Sequence, residues 1–86
     1  MPKVSEFYGI SIVFYLHDHG VPHFHAFYGG ARASVRIQPI EFLEGSLPPR
    51  AARLVFEWVP LHESELLACG RDIRAGRLPS PVPPLD

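Results

Sequence analysis

The chain has 86 residues, 47% of them hydrophobic and 12% aromatic, and a formal net charge of −1. That is enough for one domain, too apolar for a disordered segment, and too near neutrality to be drawn bodily onto nucleic acid or an anionic membrane. Cys69 is the single cysteine, which excludes an intrachain disulfide and a thiolate-rich zinc site. No signal-peptide pattern and no apolar run of about 20 residues is present, so the expected setting is the cytoplasm without membrane contact.

From Gly9 to His17 the sequence reads as a strand. Ile10, Ile12, Phe14 and Leu16 alternate with Ser11, Val13, Tyr15 and His17, and the segment is dense in β-branched and aromatic residues. Asp18-His19-Gly20-Val21-Pro22 supplies turn chemistry. His23 to Tyr28 is expected to form a second strand, closed by Gly29-Gly30. Ala31 to Ile37 forms a third, with Ala33, Val35 and Ile37 facing inward and Arg32, Ser34 and Arg36 facing water. Ile40 to Leu43 makes a short fourth strand after Pro39. Pro49 suits the first position of a helix, and an apolar stripe runs on from it. Pro60 removes a helical hydrogen bond, so two segments are predicted, about 49–59 and 61–75, with Gly76 as the stop. The fold class that follows is α+β. A three- or four-stranded antiparallel β-meander precedes a kinked or split C-terminal helix packed on one face. Residues 1–78 are read as a single domain, and the proline-rich segment 79–86 as an extended arm, ordered only when docked on the body or on a neighbouring chain.

Four of the five histidines, His17, His19, His23 and His25, fall within nine residues, with Asp18 among them. Strand alternation points His23 and His25 to the same face, while Asp18 and His19 ride on the turn. Two readings put chemistry here. His19, His23 and His25 could supply three ligands to Zn²⁺ or Ni²⁺. Alternatively, two imidazoles could divide general-base and general-acid roles without any metal, as RNA cleavage through the 2′-hydroxyl requires. In that case His23 and His25 are the acid and base, Asp18 orients an imidazole, His19 stands close by, and Arg32 or Arg36 holds phosphate. A third reading makes the histidines structural and the domain a protein–protein interaction module, with the sheet edge or proline arm as its binding surface. An unpaired edge and such an arm also favour a homodimer. His62, four residues after Trp58, reads as covering the core edge, and Cys69 as a packed small apolar residue.

The run VSEFYGISIVFYLHDHGVPHFHAFYG beginning at Val4, EGSLPPRA at Glu44–Ala51 and LVFEWVPLHESEL at Leu54–Leu66 together resemble a family of short bacterial proteins, domain of unknown function 4160. The shared core is DHxxPHFHAxYG. Asp18, His19, His23, His25 and Tyr28 match its signature, as do Trp58 and His62, whereas His17 falls outside it. Two departures are Val21, where proline is usual, and Pro60, where the helix usually continues. The resemblance implies the toxin of a type II toxin–antitoxin pair, of the DhiT-like class, with a small antitoxin protein from the adjacent gene as partner and RNA or translation as target. Tyr28 would then join Arg32 and Arg36 in contacting substrate.

Overall fold

The computed structural model describes residues 2–16 and 20–86. Five strands are followed by two helices: β1 Lys3–Phe7, β2 Ile10–Val13, β3 His23–Tyr28, β4 Ala31–Ile37, β5 Ile40–Ser46, α1 Pro49–Leu61 and α2 Glu63–Arg74. The strands form one antiparallel sheet in chain order, a simple meander. The α+β class is as expected, but the sheet has one strand more than anticipated. Lys3–Phe7 pairs with β2 through a two-residue turn, Tyr8-Gly9, in which both residues have positive φ (50° and 80°). That geometry matches the right-handed twist of a hairpin and usually calls for Asn-Gly; a tyrosine in the first position hides it in the sequence. β2 is correspondingly shorter than the segment read as Gly9–His17. His17 itself, with Asp18 and His19, lies outside the described residues.

β3 and β4 occupy the expected spans, with Phe24, Ala26, Ala33, Val35 and Ile37 buried on one face. Both helices lie on that face. Ala51, Val55, Trp58, Val59, Leu66, Cys69 and Ile73 complete the core against the sheet. β5 extends past Leu43 to Ser46, because a register shift between Ser34 and Val35 absorbs Leu43 and lets pairing resume. Pro49 opens α1 as its first residue, after Pro48 in an extended conformation. The helical break falls at His62 (φ −130°, ψ 27°), two residues beyond Pro60. In the last turn the proline removes only the bond to residue 56. The chain therefore runs on to Leu61, and the His62 N–H closes onto the Val59 carbonyl at 3.1 Å. Gly76 ends α2 as anticipated. Its φ of 78° allows the Gly76 N–H to reach the Ile73 carbonyl (3.1 Å) and the Arg77 N–H the Asp72 carbonyl (2.8 Å).

The proline-rich arm docks on the body. The Val82 N–H donates to the Val4 carbonyl (2.8 Å), and the Trp58 indole N–H donates to the Pro83 carbonyl (2.9 Å). Val82 is buried, and the Cys69 thiol points at the Ser80 carbonyl, 3.5 Å away. Burial, with Asp72 and Glu65 adding to it, pushes the Cys69 thiol from an ordinary 9.0 up to about 11. The protonated thiol is therefore favoured by folding. Its contribution is complete below about pH 9 and is lost as pH rises through about 11, because the unfolded thiol ionises first. The stability difference between the natural chain and Cys69→Ala should accordingly shrink over that interval in urea denaturation. A difference independent of pH would contradict the assignment.

Candidate functional site

The helices cover one face of the sheet and leave the other to the polar residues of each strand. On β3 the exposed parity is His23, His25 and Phe27; on β4 it is Arg32, Ser34 and Arg36. The register sets His23 opposite Arg36, His25 opposite Ser34 and Phe27 opposite Arg32. β5 continues the rows, with Glu41 beside Arg36 and Glu44 beside Ser34.

The two histidines meet as expected. Their ring centroids are 5.2 Å apart at 67°, and Tyr15 stands edge-on to His25 at 4.4 Å. His23 Nδ1 donates to the Val21 carbonyl at 2.8 Å. Because a carbonyl can only accept, that nitrogen keeps its proton, and the neutral ring carries its lone pair on Nε2. The Ser34 hydroxyl lies 3.4 Å from His25 Nδ1. His23 borders an apolar recess of about 190 Å³ between the start of β3 and α2, with Phe14, Pro22 and Leu67. His25 borders a polar groove of about 440 Å³ with Tyr15, Phe27, Arg32, Ser34 and Glu44. The imidazole pair thus stands between two recesses.

The two arginines are unequal. Arg36 donates to the Pro39 carbonyl (3.0 Å) and pairs with Glu41, so its charge is compensated. Arg32 forms no ion pair among the described residues. Tyr28 does not join the group. It has the opposite parity to His23 and His25, faces the helices, and packs half-buried against the core. His62 is also on the far side of the sheet, where it stacks on Trp58 (5.7 Å) and meets Glu65 Oε1 at 2.6 Å. Among the described residues no three His, Cys, Asp or Glu side chains come together as a metal-holding group. The expected third ligand, His19, and the expected orienting residue, Asp18, lie outside the described residues. Phe24 and Phe27 are read from sequence as core or as the aromatic wall of the site; Phe24 is core and Phe27 lines the groove. Tyr15, Ser34 and Glu44 were not singled out as site residues from sequence, although Tyr15 shares the histidines' parity.

The family model for the domain of unknown function DUF4160 matches residues 9–69, the greater part of the chain. The chain belongs to the DUF4160 family. The DUF4160 match contains β2 to β5, α1 and the histidine face, and it ends at Cys69 within α2. No curated protein and no solved structure matches the chain. Among the described residues no helix of this DUF4160 member is long and apolar enough to cross a membrane.

Proposed function

We propose that this chain is the toxin-like component of a bacterial two-gene toxin–antitoxin module, acting in the cytoplasm as a small metal-independent ribonuclease. The observation that carries the reading is the His23–His25 pair, 5.2 Å apart on an open sheet face, with the His23 proton held on Nδ1 by the Val21 carbonyl. His23 Nε2 is then the base that takes the proton from a ribose 2′-hydroxyl. The 2′-oxygen attacks the adjacent phosphorus, the P–O5′ bond breaks, and protonated His25 donates to the leaving 5′-oxygen. The products are a 2′,3′-cyclic phosphate and a 5′-hydroxyl. Arg32 contacts the RNA, its charge not being spent on an ion pair within the described residues.

The partner in this reading is a small antitoxin protein from the adjacent gene. Expression of the chain alone is expected to arrest growth, and co-expression of the neighbouring product to restore it. His23→Ala or His25→Ala should lower RNA cleavage by roughly 10²–10⁴-fold with an unchanged circular dichroism spectrum. A folded double variant that still arrests growth overturns catalysis by this pair. A stable complex with the neighbouring product, in a chain that cleaves nothing, supports an interaction domain instead.

The same tautomer favours one further reading, a non-enzymatic zinc or nickel site through His19, His23 and His25. Ligating imidazoles commonly donate their other N–H to a backbone carbonyl, as His23 does. Untagged protein that takes up no stoichiometric metal under excess Zn²⁺ and Ni²⁺ removes it.

A further inference from the structure

The groove beside His25 carries two charged side chains of opposite sign that do not neutralise each other. Arg32 and Glu44 both line it, on neighbouring strands. Ser46 faces Arg32 and Glu44 faces Ser34, so the two are diagonal neighbours across the ladder, with backbones about 7–8 Å apart. One rung away Arg36 and Glu41 do pair directly, whereas neither Arg32 nor Glu44 forms an ion pair among the described residues. Their separation is built in. The Leu43 irregularity sets Glu44 over Ser34, and Gly45 holds β5 hard against β4 there, since a Cβ on Gly45 would come within 2.4 Å of the Arg32 carbonyl oxygen. Across the groove, Tyr15 and Phe27 are half-buried and offer aromatic surface.

The groove therefore offers a forked cationic donor, an acceptor-only carboxylate and aromatic surface, in a volume of about 440 Å³. A planar heterocycle with two acceptors on one edge and two donors on the adjoining edge satisfies all three at once. Guanine does this: O6 and N7 accept from an arginine fork, and N1–H and the N2 amino group donate to a carboxylate. The two edges meet at O6, so diagonal neighbours can serve both at once. Adenine turns the N1 lone pair toward the carboxylate and its amino group toward the arginine, reversing the match. We propose that Arg32, Glu44, Tyr15 and Phe27 form a guanine subsite next to the histidine pair. The inference rests on the ribonuclease reading and specifies its substrate class: single-stranded RNA with guanine at the scissile position.

Titration calorimetry with guanosine and adenosine 3′-monophosphates tests the subsite without cleavage, because neither probe has a phosphodiester to break. Guanosine monophosphate should bind about tenfold or more tightly than adenosine monophosphate. Glu44→Gln, an exposed substitution that leaves the fold intact, should bring the two within about twofold. Equal affinities in the natural chain, or a guanine preference retained in Glu44→Gln, overturn the subsite. A second arm compares guanosine monophosphate with the trinucleotide ApGpA, made non-cleavable by 2′-O-methyl groups on the first adenosine and the guanosine. Tighter binding of the trinucleotide supports RNA as the source of the base, and equal binding overturns it. Guanine-selective binding by a chain that cleaves no RNA preserves the subsite and sinks the nuclease. Cleavage without guanine preference does the reverse.

Discussion

Trp58→Ala is expected to cost about 3–5 kcal/mol, the largest loss that any single side chain here should produce. An 86-residue domain holds a net stability of only about 4–13 kcal/mol, so at the low end of that range the substitution alone would unfold much of the protein. Trp58 is fully buried where three parts of the chain converge. Its ring lies 4.9 Å from Phe7 on β1 and 6.1 Å from Phe24 on β3, and its N–H holds the arm at Pro83. Trp58→Phe separates these roles. It keeps an aromatic ring against Phe7 and Phe24 but leaves the Pro83 carbonyl without its donor, and should cost clearly less than the alanine change. Since Trp58 is the only tryptophan, unfolding of these variants has to be followed by circular dichroism in urea. Equal losses for the two substitutions would mean that the arm, rather than ring packing, accounts for the effect.

Gly45→Ala should rank second. At φ 72° a residue with a side chain costs about 1–2 kcal/mol. Relieving the contact with the Arg32 carbonyl oxygen adds roughly 1–3 kcal/mol, because the obstacle is backbone and cannot rotate away. The damage should be local. Amide exchange would quicken along β4 and β5 before β2 and β3, and any site that depends on Glu44 would lose its geometry. Gly29→Ala is the control: its φ is also positive, at 57°, but nothing stands within 4 Å of the added carbon. If the two substitutions destabilise the chain equally, the close approach at Gly45 contributes nothing.

β3 and β4 were legible to the residue because Pro22, Gly29-Gly30 and Gln38-Pro39 punctuate them and β4 alternates cleanly between polar and apolar residues. β1 was not, since its turn, Tyr8-Gly9, lacks the asparagine that normally announces positive φ. β5 was cut short where Leu43 breaks the alternation, and bulges of this kind are decided by pairing with the next strand rather than by local preference. The helical break was displaced from Pro60 to His62 because a proline near a helix end loses only one bond. For the site, parity alone puts His23, His25, Arg32 and Arg36 on one face. Parity also excludes Tyr28, which entered only because it belongs to a shared motif. Glu44 could not have been placed without the bulge, nor Arg36 discounted without the ion pair to Glu41.

The docked arm has a consequence for how the molecule comes into being. Translation releases Trp58 and Cys69 from the ribosome before Ser80, Val82 and Pro83, which close over them. The apolar seam beside β1 can therefore close only after synthesis has passed Pro83, and until then it is a surface that chaperones can bind.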